Sequence, residues 1–89
     1  MLKVVDKICT GKTRKLIETA KENDYVIVCK NPQGMTQKAY NYGITGVEFV
    51  SYHDFIYEGV DKPYYIDDLD NFVATVYDGF KGFSLTVED

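Results

Sequence analysis

The stretch "YVIVC", Tyr25 to Cys29, constrains this chain more than any other. It is continuously apolar and mostly β-branched. A strand with water on one face alternates apolar and polar residues. An uninterrupted apolar run predicts a strand buried on both faces, the condition of strands in parallel sheets. Parallel strands need crossover connections, and those are usually helices. The remaining sequence should therefore supply helices on either side, with further strands between them.

It does so in order. "LKVV", residues 2–5, reads as a short strand, and residues 6–12 as a turn. From Thr13 to Glu22, Leu16, Ile17 and Ala20 recur at helical spacing, and Asn23 and Asp24 end the pattern. After "YVIVC", Pro32 can open a helix. Met35, Ala39 and Tyr42 carry its apolar stripe, and Gly43 closes it. "VEFVSY", Val47 to Tyr52, reads as a strand, with a short helical turn over His53 to Tyr57. "PYYI", Pro63 to Ile66, is a strand that ends at Asp67 and Asp68. Leu69, Phe72, Val73 and Val76 give a last helical stripe, and "FSLTV", Phe83 to Val87, a last strand. The alternation predicts one α/β domain over residues 1–89. Its expected architecture is three-layer α/β/α around a mostly parallel five-stranded sheet.

Charge and composition narrow the function. The net charge is −4, which argues against non-specific nucleic-acid binding as the main activity, despite the cluster Lys3, Lys7, Lys12, Arg14 and Lys15. No apolar run reaches the roughly 20 residues of a membrane helix, and no signal-peptide core opens the chain. Residence in the cytoplasm is the expectation, with Cys9 and Cys29 as free thiols. His53, the only histidine, has no nucleophile beside it in sequence, which leaves it a surface or capping role. The acidic residues Asp61, Asp67, Asp68, Asp70 and Asp78 lack calcium-loop spacing. Tyr52, Tyr57, Tyr64, Tyr65 and Tyr77 serve either the core or an interaction face.

Two segments carry chemistry. In "TGKT", Thr10 to Thr13, Gly11, Lys12 and Thr13 follow a strand pattern and precede a helix. That is the second half of a phosphate-binding loop. Its backbone N–H groups curl around phosphates, its lysine reaches the outer phosphates, and its hydroxyl holds magnesium. The helix N-terminus adds a dipole that favours anions. Asp6 stands where the first glycine of the full motif belongs. It restricts the backbone there and places a carboxylate near the phosphates. The second segment is "YYIDDLDNF", an apolar strand ending in acids. Asp67 is placed to hold magnesium and Asp68 to act as the general base on water. As a simpler alternative, both aspartates cap the following helix.

These pieces resemble the P-loop NTPases, and within them the first half-domain of helicase-type ATPases. The chain is also similar to very small P-loop proteins of bacteriophages of Gram-positive bacteria. The segments that carry this second likeness are "TGKTRKLIETA", "VIVCKN", "YYIDD" and "FSLTVED". The resemblance implies ATP or GTP bound with Mg2+. Thr10, Gly11, Lys12 and Thr13 would bind the nucleotide, Thr13 and Asp67 the metal, and Asp68 would be catalytic. It places "FSLTV" between the strand before the phosphate loop and the acid-ended strand, with Ser84 or Thr86 facing the phosphates, and Lys30 and Asn31 at the same sheet edge. These 89 residues hold no second motor domain. Arg14, the only arginine, follows the loop on a helix face expected to point away from it. Hydrolysis is therefore expected to be weak or to need a protein partner that brings an arginine. A different class of function stays open: a phage-encoded interaction protein that modulates a host enzyme and keeps the fold without nucleotide. A homodimer is a further expectation, since one small sheet can leave an apolar face to cover.

Overall fold

A computed structural model of the protein describes residues 11–86. The expected strand at 2–5, Asp6, Cys9, Thr10 and Val87 lie outside those residues. Within them the chain is an α/β fold of four helices and a three-stranded parallel sheet. The order along the chain is α1 (Lys12–Asn23), β1 (Val26–Cys29), α2 (Pro32–Asn41), β2 (Phe49–Ser51), α3 (Tyr52–Glu58), β3 (Tyr64–Ile66) and α4 (Leu69–Val76).

β1 is the centre. It pairs in parallel with β2, Ile27 opposite Phe49, and with β3, Ile27 opposite Tyr65. All four of its residues are buried, as the apolar run requires. Its alternate side chains serve two separate cores. Ile27 and Cys29 face Leu16, Ile17 and Ala20 of α1 and Met35 and Ala39 of α2. Val28 faces Tyr52 of α3 and Phe72 of α4. Helices thus cover both faces of β1.

Local chemistry sets the element ends. α1 stops at Asp24, which adopts the left-handed conformation (φ 57°) that aspartate tolerates. The Asn31 side chain caps α2 by accepting from the Gly34 N–H at 3.2 Å, with Pro32 in the first turn. A Cβ on Gly34 would lie 2.8 Å from the Asn31 amide nitrogen, so glycine lets that cap close.

Two expected strands need correction. The predicted strand 47–52 shortens to 49–51. Ser51 Oγ accepts from the Asp54 N–H at 3.0 Å and starts α3 at Tyr52, so a helix cap overrides the strand pattern. The five-stranded sheet is not formed among the described residues. Phe83 to Thr86 belong to no strand, and Phe83 and Leu85 are exposed. A strand exists only where a neighbouring edge takes up its backbone groups. The sheet of β2, β1 and β3 contains no pairing for this segment, and Phe80 and Phe83 instead line an open groove beside the start of α4. Of the tyrosines, Tyr52 is core and Tyr65 half-buried, whereas Tyr57, Tyr64 and Tyr77 are exposed. No helix of the described residues is long and apolar enough to cross a membrane.

Candidate functional site

The sheet order β2-β1-β3 creates a crevice. From β1 the chain leaves toward α2 on one face; from β3 it leaves toward α4 on the other. The two connections diverge at the carboxyl ends of neighbouring parallel strands. Open α/β sheets bind ligands at such a switch point, because the loops part there. The residues at this one are Lys30 and Asn31 after β1, and Asp67 and Asp68 after β3.

The first turn of α1 reaches the same place. Gly11 precedes it with φ 89°, a left-handed conformation that suits glycine. Among the described residues no side chain caps this helix, and its first turn holds no acidic residue. It does hold Lys12, Arg14 and Lys15. Uncapped N–H groups and the positive end of the helix dipole are thus joined by cationic side chains. Lys12 Nζ donates to Asp68 Oδ1 in an ion pair that spans 56 residues of sequence. That hydrogen bond to Asp68 is the main reason the Lys12 ammonium is held above its usual pKa. Thr13, next along α1, is half-buried.

Asp67 and Asp68 are adjacent but differently placed. Asp67 is tied into the sheet by its backbone, whose N–H donates to the Val28 carbonyl at 2.9 Å. Its carboxylate Oδ1 is buried and has no hydrogen-bond partner among the described residues. Burial, then the neighbouring Asp68 charge, raises its pKa; Lys12 and Lys38 oppose the rise. Asp68 precedes α4 in a left-handed conformation (φ 53°), and its carboxylate makes no capping bond to that helix. It turns to Lys12 instead. The capping alternative therefore does not describe Asp68.

Buried, partnerless carboxylate oxygens are costly unless something polar completes them. The donor set here suits magnesium rather than a caged ion. Among the described residues no group of His, Cys, Asp and Glu side chains forms a metal-binding cluster. Magnesium keeps most of its waters and takes one or two carboxylates together with phosphate oxygens. Asp67, with Thr13 half-buried next to Lys12 on α1, is compatible with that.

The remaining sequence candidates divide. Arg14 pairs with Glu18 at 3.3 Å and lies over the Tyr42 ring, away from the carboxylates. Asn31 is engaged as the α2 cap, and Lys30 is exposed. Ser84 is exposed and on no strand, and Thr86 is likewise outside any strand. His53 is exposed and contacts Tyr57. Cys29 is a free, buried thiol, pushed by burial up to about 12. At ordinary pH it is therefore protonated and unreactive.

Sequence reading missed Tyr52. Its hydroxyl donates to the Asp67 carbonyl at 2.7 Å and lies 3.4 Å from that of Asp68. Burial raises its pKa, so it stays a neutral donor that holds the acid pair against α3. A signal was present: Ser51 three residues before Asp54 has the spacing of a helix start, which puts Tyr52 on a helix rather than on the strand.

No protein-family model matches the chain, and no curated protein or solved structure matches it significantly.

Proposed function

We propose that this protein is a minimal P-loop-type domain that binds a nucleoside triphosphate, ATP or GTP, with Mg2+. One observation carries the reading. At the carboxyl ends of β1 and β3, the first lysine of a basic helix start is ion-paired with an aspartate, and the adjacent carboxylate has a buried oxygen with no partner among the described residues. This is cation, dipole and metal-ready acid in one crevice. Gly11 and the first turn of α1, with Thr10 before it, receive the phosphates. Lys12 leaves Asp68 for the outer phosphates. Thr13 and Asp67 hold the metal, which neutralises phosphate charge when bound. Asp68, released, orients the attacking water.

The Lys12–Asp68 pair does not bar the ligand. Both side chains are partly exposed, and such pairs are worth about 1 kcal/mol or less. Arg14 is directed elsewhere, so turnover by the domain alone is slow, and a partner protein supplies the missing positive charge. The likeness to small phage P-loop proteins belongs to the same reading.

Thermal melting with and without Mg-ATP and Mg-GTP, beside Lys12→Ala, tests it. A ligand at about 100 times its dissociation constant adds roughly 2.7 kcal/mol. For a domain this size that raises Tm by on the order of 10 °C. The shift should vanish in Lys12→Ala; a wild type that does not shift refutes the reading. A second reading, an interaction protein that modulates a host enzyme without nucleotide, is favoured by the exposed Tyr40, Tyr57 and Tyr77. It requires a partner that binds wild type and Lys12→Ala equally.

A further inference from the structure

Beyond the crevice, an open groove of about 660 Å3 runs between the start of α4 and the segment after it. Asp68, Asp70 and Asn71 form one wall, and Phe80, Lys81 and Phe83 the other. The two phenylalanine rings lie almost parallel, 14° apart with centroids at 6.2 Å. Phe83 is 64% exposed, which leaves ring surface open to a second flat molecule.

The groove is not built for phosphate. The Asp68 carboxylate is already paired with Lys12, which leaves Asp70 opposite Lys81 and little net charge in the groove. It suits a neutral, planar molecule rich in hydrogen-bond donors. A nucleobase stacks on an aromatic face whatever its identity. Its amino groups can donate to the Asp70 carboxylate and to the side-chain amide oxygen of Asn71. Asp68 is the residue shared between groove and crevice. In the function proposed above it faces the terminal phosphate from the side of the incoming nucleophile. A molecule in the groove therefore lies where that nucleophile must come from.

We propose that this groove is the acceptor site of a phosphoryl transfer, and that its occupant is a nucleoside whose sugar hydroxyl replaces water. The inference rests on nucleotide binding at Lys12. The hydroxyl oxygen forms a bond to the terminal phosphorus. The bond from that phosphorus to the bridging oxygen breaks, and its electron pair leaves with the nucleoside diphosphate. The hydroxyl proton passes to the Asp68 carboxylate. The products are a nucleoside diphosphate and a nucleoside monophosphate.

The test uses the whole chain with adenosine, guanosine, cytidine and uridine. Saturation-transfer NMR reads nucleoside binding, and mass spectrometry reads monophosphate formed with Mg-ATP. Phe83→Ala should weaken nucleoside binding by roughly tenfold or more while the Mg-ATP melting shift persists. Because Phe83 is exposed, this variant keeps the fold, and its own melt verifies that. A wild type that shifts with Mg-ATP but binds none of the four nucleosides overturns the proposal. So does binding that Phe83→Ala leaves unchanged, or binding without monophosphate. Absence of the Mg-ATP shift itself identifies failure at Lys12 rather than at the groove, and removes the transfer with it.

Discussion

Replacing Asp68 with Asn separates the two roles proposed for it, competitor for Lys12 and orienter of the nucleophile. The change keeps side-chain size and a residue type that tolerates the left-handed backbone Asp68 occupies. It removes the charge that holds Lys12. The paired side chains are 32% and 45% exposed, so losing their attraction costs about 0.2–1 kcal/mol. Against this, Asn no longer repels the Asp67 carboxylate, whose pKa the Asp68 charge helps to raise. The two effects oppose each other, and Tm should move by no more than about 5 °C. Nucleotide no longer has to displace a carboxylate from Lys12. Affinity for Mg-ATP should therefore rise by up to about fivefold, the equivalent of 1 kcal/mol. On the function proposed, any hydrolysis should fall, since the group assigned to orient the nucleophile is lost. Isothermal titration and phosphate release measure the two together. Affinity that drops by tenfold or more would refute the reasoning, because Asp68 would then be part of the phosphate grip rather than its competitor.

Three further outcomes follow from the geometry. Tyr52→Phe removes the 2.7 Å donor to the Asp67 carbonyl in a buried setting and should cost about 1–2 kcal/mol, read as a lower Tm with the Mg-ATP shift reduced. Asn31→Ala removes the α2 cap and should cost about 1 kcal/mol, with the Mg-ATP shift unchanged, since the residue is structural. Asp67 gives a pH dependence: its folded pKa is raised, so its favourable contribution is complete below the unfolded aspartate value and is lost as pH rises through the folded one. Melting curves from pH 3 upward should show this decline in wild type and not in Asp67→Asn, and Mg2+ should restore stability in wild type alone.

Residues that act on their neighbours were legible. Five consecutive apolar residues announced β1 and its two covered faces. Leu16, Ile17 and Ala20 announced the buried face of α1, and Pro32 the start of α2. Asp67 and Asp68 were placed correctly at the end of β3, because an apolar run that stops at two acids can hardly continue into a core. Residues that act across the fold were not legible. Nothing near Lys12 says that its partner is Asp68, because the crevice exists only once β1 and β3 are side by side. "FSLTV" has a strand's composition, but pairing depends on an available edge, which no local pattern encodes. Ser51 decided between strand and helix with one hydroxyl, and "VEFVSY" looks the same to a period of two whether or not that bond forms.

The Lys12–Asp68 bridge joins the first described helix to the last, and the helix layer on one face of the sheet to the layer on the other. A phosphate seated between them would act as a removable rivet. Parallel pairing over such separations forms slowly, and the bridge can close only once β3 lies beside β1. A ligand there favours the finished fold over every partly assembled one. Its effect would fall on the rate at which the two layers come apart more than on the rate at which they meet.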